Sequence, residues 1–462
     1  MGLVKTLFVV LVTIGSAYVT YIIHDSLGSD PVPEINDEFW GPGSKPGVIP
    51  GNEDETIKPF KVDFTSDLKD LKSRLKLELD SNRFATPLEG VGFGYGFNTI
   101  YLKKVLTYWM EKYDFAKREK WLNRHPHFKT KIGGLDIHFQ HIKPTKTMND
   151  KYKKTVPIIF IHGWPGSFVE YQKLIDYFLE PKNSEINFEI VIPSLPGYGF
   201  SQASSRPGLT PVRIANILGR LMKRLGYEKY YTLGEDWGSL ISTDMGILYP
   251  DRVKGTHFSC YSFHPMDQFK QFISTIFSPT TTFPSPRARE RYLPLSKLMG
   301  YSLRESGYLH IQATKPDTIG IGLTQSPSGL AAYILEKFST WTNESFMDKE
   351  DGGLEHKFTM DELLDNVMVY WVSKCITSSM RLYSEAFNNW HTFRIPVTTP
   401  TACVIPPEDV VAASEVGLMS KFPNLKHFSS PNSGGHFLSY EAPEVAAKEA
   451  LKFFNDIEFD KI

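Results

Sequence analysis

Strand and helix patterns alternate through the middle of the chain. Continuous apolar runs at residues 156–161 and 189–192 are typical of buried parallel strands. Apolar residues recur with helical spacing over residues 168–179, between these runs, and over residues 211–225, after them. This alternation predicts an α/β fold, with a parallel sheet whose crossover connections are right-handed.

The segments on either side of this core have different patterns. Residues 135–139 alternate apolar and polar, as an exposed strand does, whereas residues 263–387 are largely helical and predict a cap inserted in the core. Strands at residues 397–404 and 425–428 and a helix at residues 443–454 then complete the sheet. The predicted organisation is a membrane anchor (1–25), a linker (26–58), a helical N-terminal extension (59–132), a first α/β core segment (133–262), the helical cap (263–387) and a second core segment (388–462).

The first residues are apolar enough to cross a membrane. Residues 6–23 carry no charge and are about long enough to span a bilayer as a helix. A cleaved signal peptide is the alternative, but the run is long for one, and no Ala-x-Ala-like site follows it. We therefore expect a retained anchor, followed by a tether rich in Pro and Gly at residues 28–56. Lys5 before the run, with Asp25 and Asp30 after it, favours a cytoplasmic N-terminus, although one lysine is a weak signal.

Charge and cysteine content exclude several classes of protein. The chain has 51 basic and 52 acidic residues among 462, so nothing in it indicates nucleic-acid binding. Its three cysteines, Cys260, Cys375 and Cys403, form no CxxC or Cys/His pattern. We therefore expect neither a structural zinc site nor a disulfide framework, and a catalytic body that faces a reducing compartment or needs no disulfide bonds.

Asp236 lies in Gly234-Glu235-Asp236-Trp237-Gly238, a small-x-nucleophile-x-small pattern. An apolar strand at residues 230–233 precedes it and a helical stretch at residues 240–249 follows, which is the context of a nucleophile elbow. Such elbows usually carry serine. A carboxylate there indicates alkyl transfer instead, because the resulting enzyme ester has its own carbonyl for water to attack. An ordinary polar turn is the alternative interpretation of these five residues alone.

The order of candidate catalytic residues supports the elbow. This architecture supplies a nucleophile, then an acid, then a histidine along the chain. Asp236, an acid in Glu408-Asp409, and His436 follow that order. The acid comes after the predicted strand at residues 397–404, from which it can reach the imidazole and hold its tautomer.

A Pro/Gly turn after the predicted strand at residues 156–161 is a candidate oxyanion hole. Residues 162–166 read His-Gly-Trp-Pro-Gly. In this fold that turn supplies one backbone N–H and the residue after the nucleophile supplies a second. The predicted donors are therefore the amides of Trp164 and Trp237.

Several longer motifs identify a family. They are WGPG (40–43), IKPFK (57–61), HPHFKT (125–130), residues 162–167 and 193–201, GYLHIQATKPD (307–317), residues 330–343 and GHF (435–437). With these motifs the chain resembles the microsomal-type epoxide hydrolases of the α/β-hydrolase superfamily, and within them the insect juvenile hormone epoxide hydrolases. The resemblance covers essentially the whole chain. It implies an α/β-hydrolase fold with a mainly helical cap, a helical N-terminal extension and an N-terminal membrane anchor helix.

The resemblance also implies a role for four residues. Asp236 matches the nucleophile and His436 the base that activates water. Tyr308 and Tyr383 match two cap tyrosines that bond the epoxide oxygen. A phenol suits this task because the opening epoxide develops an alkoxide that needs a proton.

The acid of the catalytic triad departs from the family pattern. The family usually has glutamate in a frame of proline, any residue, acid and apolar residue. Pro407, Glu408, Asp409 and Val410 fill that frame with Asp409 at the acid position. Glu408, one residue earlier, is the alternative.

The implied activity is hydrolysis of a small lipophilic epoxide to a diol, without metal or organic cofactor. The substrate is juvenile hormone or a xenobiotic epoxide. The rival interpretations are a haloalkane dehalogenase-like hydrolase and a catalytically silent carrier of lipophilic ligands. The resemblance implies a microsomal membrane protein of the endoplasmic reticulum with a cytosolic catalytic domain, but a possible glycosylation site at Asn343, if occupied, would place that domain in the lumen. The sequence does not indicate an oligomeric state.

Overall fold

The computed structural model describes residues 30–461 apart from residues 37, 44–52, 260, 284 and 388–391. The predicted anchor at residues 1–25 lies outside the described residues, as does a portion of the predicted linker. No helix in the described residues is both long and apolar enough to cross a membrane.

A nine-stranded sheet forms the centre of the protein. Its strands are β1 (Lys58–Phe60), β2 (His127–Ile132), β3 (Leu135–Ile142), β4 (Lys154–Ile161), β5 (Ile186–Pro193), β6 (Tyr230–Gly234), β7 (Val253–Phe258), β8 (Thr401–Val404) and β9 (Leu425–Ser429). They lie in the order β1-β2-β3-β5-β4-β6-β7-β8-β9. The pairs β1-β2, β2-β3 and β3-β5 are antiparallel, and the five pairs β5-β4, β4-β6, β6-β7, β7-β8 and β8-β9 are parallel. The predicted α/β fold is confirmed, and the loops after β4, β6, β8 and β9 meet at one edge of the sheet.

Helices alternate with these strands and form a long block between β7 and β8. The helices before the block are α1 (Thr65–Ser81), α2 (Thr99–Glu111), α3 (Phe115–Leu122), α4 (Lys146–Asn149), α5 (Ile175–Leu179), α6 (Pro211–Arg224) and α7 (Trp237–Leu248). Those in the block are α8 (Pro265–Phe277), α9 (Pro279–Thr282), α10 (Pro286–Tyr292), α11 (Leu295–Glu305), α12 (Gly307–Thr314), α13 (Pro316–Gln325), α14 (Pro327–Thr340), α15 (Met360–Ser373) and α16 (Ile376–Phe387). After β9 come α17 (Leu438–Glu441) and α18 (Pro443–Glu458), and short 3-10 helices occur at Phe168–Tyr171, Glu344–Asp348, Leu354–His356 and Glu415–Gly417.

The position of β3 differs from the prediction of an exposed strand. β3 lies between β2 and β5, and six of its eight residues are buried. The polar positions that suggested exposure include His138, which is fully buried and hydrogen-bonded through its ring to His127 and Ser194. The alternation therefore reflected a buried polar network. The N-terminal extension is also not wholly helical, because it contributes β1 and β2 to the sheet.

A break divides the last two helices of the block, and one predicted strand begins later than expected. Residues 363–383 form two helices, because Lys374 adopts a left-handed conformation (φ 56°) between α15 and α16. β8 begins only at Thr401, directly after Pro400, which has no N–H to donate to a neighbouring strand. The cysteine prediction also needs correction, since Cys403 in β8 is disulfide-bonded, whereas Cys375 is a buried free thiol.

The N-terminal extension is bound to the helical block by a buried ion pair. Arg118 of α3 donates from Nε to both carboxylate oxygens of Asp365 in α15, at 2.9 and 3.1 Å, and Tyr113 donates to Oδ1 at 2.8 Å. Burial raises the pKa of Asp365 to about 6 despite these donors. Removing Arg118 alone would leave the buried Asp365 carboxylate without its positively charged partner, which would destabilise the fold by about 3 kcal/mol. The extension therefore helps to fix α15 over the sheet.

Candidate active site

Asp236 occupies a strained turn between β6 and α7. Its φ is +52°, a conformation that non-glycine residues rarely adopt. A Cβ on Gly234 would lie 2.2 Å from the carbonyl oxygen of Gly238, and one on Gly238 would lie 1.7 Å from that of Ile161. Side chains at either position are therefore excluded, and the small residues of the motif allow β4, β6 and α7 to close around the nucleophile.

The turn after β4 holds one oxygen of the Asp236 carboxylate. The backbone N–H of Trp164 donates to Oδ1 at 2.7 Å. A Cβ on Gly163 would lie 2.1 Å from the same oxygen, so the close approach requires glycine. Trp237, the other predicted donor, is the first residue of α7, where backbone N–H groups lack partners within the helix and carry partial positive charge. Both predicted amides thus lie beside Asp236.

His436 connects the predicted acid and nucleophile. Its Nδ1 lies 2.9 Å from Asp409 Oδ1, and its Nε2 lies 3.4 Å from Asp236 Oδ2, without the geometry of a hydrogen bond. The N–H of His436 donates to the carbonyl oxygen of Trp341, so the end of α14 fixes the loop. Burial alone would lower the pKa of His436, but the carboxylates of Asp409 and Asp236 raise it well above its usual 6.5.

The two adjacent acids after β8 have different partners. Asp409 is almost fully buried and faces His436. Glu408 accepts hydrogen bonds from Arg287 Nε at 2.5 Å and Nη2 at 3.0 Å. The backbone oxygen of Asp409 is held by the hydroxyl of Tyr292 at 3.0 Å. Asp409 is thus hydrogen-bonded to His436, as the predicted triad acid would be, whereas Glu408 forms an ion pair with α10.

The rings of Tyr308 and Tyr383 meet edge to face, next to the tryptophans that flank Asp236. Tyr308 lies near the start of α12 and Tyr383 in α16, and their rings are 5.9 Å apart at 84°. Trp164 stacks on Tyr308 at 5.3 Å, and Trp237 lies 4.8 Å from Tyr383. Burial raises the pKa of both phenols above 10, so both remain protonated donors at neutral pH. The hydroxyl of Tyr383 has no hydrogen-bond partner among the described residues.

Three further side chains in the site were not predicted. The hydroxyl of Tyr261 donates to the backbone oxygen of Asp236 at 3.0 Å. The ring of Trp341 lies 5.0 Å from His436 and 4.9 Å from Tyr308. The ammonium of Lys337 lies 4.9 Å from the centre of the Tyr308 ring. Trp341 and Lys337 belong to the long motif at residues 330–343, which was a usable signal, whereas no pattern distinguished Tyr261 among the 22 tyrosines.

Glu235, directly before the nucleophile, is a buried acid. One of its oxygens accepts the N–H and the hydroxyl of Ser439, at 3.0 and 2.7 Å. Its other oxygen has no partner among the described residues. Burial raises its pKa from 4.5 to about 7, although the hydrogen bonds from Ser439 act in the opposite direction. Glu235 therefore changes charge near neutral pH, next to Asp236.

The pKa of Glu235 predicts a loss of stability with rising pH. Because the folded pKa is raised, the protonated carboxyl stabilises the fold fully below pH 4.5, and this contribution is lost as pH rises through about 7. Glu235→Gln removes the ionisation. Between pH 5 and 8 the free energy of unfolding, measured in urea, should fall by roughly 2–3 kcal/mol less in the variant than in the unsubstituted protein. The exposed Glu228→Gln is the control, and parallel pH profiles for the Glu235 variant and its parent would contradict the prediction.

No group of three or more His, Cys, Asp or Glu residues in the described segments of the chain is arranged to hold a metal ion. Three charged groups of the site form a connected row, with His436 between the carboxylates of Asp236 and Asp409. The arrangement suits attack by a carboxylate, followed by hydrolysis of the resulting ester.

Comparison with known proteins gives consistent family matches. Residues 57–171 match the family "Epoxide hydrolase N terminus", and residues 156–375 match the "alpha/beta hydrolase fold" family. Epoxide hydrolase 1 of Sus scrofa is 44% identical over 440 residues, which cover 92% of this chain and 93% of that protein. Juvenile hormone epoxide hydrolase of Bombyx mori is 45% identical over 431 residues, covering 91% of each chain.

A solved structure agrees with these matches. The crystal structure of juvenile hormone epoxide hydrolase from the silkworm Bombyx mori superimposes with a TM-score of 0.86 at 43% identity, over 92% of this chain and 99% of that one. The structure of Aspergillus niger epoxide hydrolase has a TM-score of 0.70 at 24% identity and supports the fold alone. The predicted family, α/β-hydrolase fold and enzyme class are confirmed. The chain belongs to the epoxide hydrolases of the α/β-hydrolase fold.

Proposed function

We propose that Asp236 opens the epoxide by forming an ester. The supporting observation is its placement, with Oδ1 bonded to the Trp164 amide and Oδ2 toward His436, below two buried phenols. Oδ2 attacks an epoxide carbon while the carbon–oxygen bond breaks. The departing oxygen takes a proton from Tyr308 or Tyr383. Oδ1 becomes the ester carbonyl oxygen, already in contact with an oxyanion-hole donor.

Water then releases the diol. His436 removes one proton from the water, whose oxygen attacks the carbonyl carbon of the Asp236 ester, and the Trp164 and Trp237 amides hold the oxyanion. Collapse of the intermediate expels the diol oxygen, which takes the proton back from His436. The second proton of the water is left on the Asp236 carboxyl group, which passes it to the tyrosine that gave up its proton in the first step. Ester formation removes the charge of Asp236 that raises the pKa of His436, so the neutral imidazole is available as a base.

Replacing the base should separate the two steps. We expect His436→Gln to form the ester but to release it at least about 10²-fold more slowly, because no group deprotonates the water. Intact-protein mass spectrometry after mixing with an epoxide should show the protein plus one substrate mass. Asp236→Asn is the control and should give no adduct. The absence of an adduct on the folded His436 variant would contradict the scheme.

The triad acid is testable with a matched pair of adjacent variants. Asp409→Asn removes the carboxylate that orients His436 and should lower kcat by about 10²–10⁴-fold. Glu408→Gln removes a carboxylate at the next position, whose partner is Arg287, and should keep kcat within about threefold. Steady-state turnover of one epoxide decides between them, and the reverse ranking would assign the acid to Glu408.

We further propose that the substrate is a lipophilic epoxide, with juvenile hormone as the specific candidate. Three observations support this: the similarity to enzymes named juvenile hormone epoxide hydrolase, the apolar run at residues 6–23, and an aromatic enclosure formed by Trp164, Trp341 and Tyr383. Such an enclosure binds apolar ligands and excludes water from the ester.

The substrate proposal predicts a preference between two epoxides. We expect kcat/KM for juvenile hormone to exceed that for styrene oxide by at least about tenfold, since the longer chain offers more apolar surface to the site. Both are measured at the same enzyme and detergent concentrations. Equal or better turnover of styrene oxide would instead support xenobiotic epoxides as the substrate class.

We also propose that residues 1–25 anchor the protein in the endoplasmic reticulum membrane, with the catalytic domain in the cytosol. The uncharged run at residues 6–23 supports the anchor. The disulfide bond of Cys403 and the charge of Lys5 favour the opposite orientation. Glycosylation of Asn343 in cells tests the orientation, because only a lumenal domain would carry it.

A further inference from the structure

Helix α8 exposes its apolar side chains to solvent. Phe272, Ile273, Ile276 and Phe277 are 50, 37, 52 and 78% exposed. Their i, i+1, i+4 and i+5 spacing puts them on one face of the helix. A helix on the surface of a globular protein normally turns its polar face outward. The exposed face of α8, defined by these four residues, is therefore the reverse of the usual arrangement.

One row of polar residues of α8 faces the protein. Asp267 is fully buried and accepts hydrogen bonds from the Ser262 hydroxyl at 2.8 Å and from the backbone of Ser420 at 2.8 Å. Gln271, one turn later, accepts from the backbone of Ser414 at 2.8 Å, and Thr275 after it is also buried. This polar row fixes the rotation of the helix. The apolar face cannot turn inward without breaking these buried hydrogen bonds.

The N-terminal chain enters the described region of the protein beside α8. Asp30 lies 3.7 Å from the guanidinium of Arg394. The neighbouring Phe393 stacks on Phe263 at 4.8 Å, two residues before α8 begins. Only six residues separate Asp30 from the apolar run at residues 6–23. They span about 25 Å at most, so an anchor in a bilayer would hold this side of the protein close to the lipid surface.

We propose that the exposed face of α8 inserts into the interfacial region of a lipid bilayer. Aromatic and aliphatic side chains of one helix face are suited to this depth. A second copy of the chain is a poorer occupant. The four side chains expose on the order of 400 Å², about half of what each partner buries in a stable interface. The proposal rests on the anchor proposed above and does not depend on the reaction.

Docking would place the active site next to the lipid. Phe263, half exposed at the start of α8, lies 5.5 Å from the ring of Tyr261. The hydroxyl of Tyr261 donates to the backbone of Asp236. A ring contact and a hydrogen bond thus connect the start of α8 with the turn that carries Asp236. A docked α8 would bring this side of the active site toward the lipid in which a lipophilic epoxide dissolves.

The docking is tested with the full chain in phosphatidylcholine vesicles. Phe277→Cys carries the environment-sensitive fluorophore NBD, and Leu77→Cys, 68% exposed on α1, carries the same label as a matched control. We expect blue-shifted emission at residue 277 and at least twofold quenching by nitroxide-labelled lipid. The label at residue 77 should remain aqueous and unquenched. Unsubstituted protein treated with the reagent measures labelling of native cysteines.

Three outcomes would overturn the proposal. The first is an aqueous label at residue 277 on protein that floats with the vesicles, which leaves the anchor intact. The second is a blue shift without lipid, which shows that the N-terminal segment or a second copy covers the face. The third is failure to float, which also contradicts the anchor. Turnover of a water-soluble epoxide in the same samples reports separately on the reaction.

Discussion

The active site depends on the close packing of backbone around Asp236. Its positive φ projects the carboxylate beyond the sheet, and the conformation persists only because β4, β6 and α7 surround it. Gly163, Gly234 and Gly238 each stand where a Cβ would lie within 2.2 Å of a neighbouring atom. This packing brings the Trp164 amide to Oδ1 and leaves Oδ2 toward His436. The nucleophile and the oxyanion hole are therefore consequences of one backbone constraint.

The helical block between β7 and β8 supplies the low-polarity environment that the chemistry needs. In the proposed reaction, water must be excluded while the carboxylate attacks, yet admitted once the ester exists. Trp164 and Trp341 pack on Tyr308, and the carbonyl oxygen of Trp341 also holds the N–H of His436. Trp341, which packs on Tyr308, thus also fixes the loop of His436. Movement of α14 would alter the surroundings of both Tyr308 and His436.

The sequence predicted what depends on local pattern and chain order. Asp236 and His436 could be recognised because the ends of parallel strands meet at one edge of the sheet. The family frame favoured Asp409 as the acid and left Glu408 as the alternative, because their different partners, His436 and Arg287, are distant in sequence. The cap tyrosines came from family resemblance alone, because their proximity depends on how helices pack. The burial of β3 was predicted wrongly, since buried histidines that bond one another produce the same alternation as a solvent-facing strand.

The same limit explains α8. Its sequence is amphipathic, and pattern alone assigns the apolar side to the core. The structure reverses that assignment because Asp267 has three donors inside the protein: the Ser262 hydroxyl and the backbone N–H groups of Ser420 and Lys421. If α8 rotated, those donors and the Asp267 carboxylate would lose their partners, which would cost several kcal/mol. In water, an apolar face held outward in this way costs free energy, because its side chains remain exposed. Contact with a lipid surface would remove that cost and leave the hydrogen bonds of Asp267 in place.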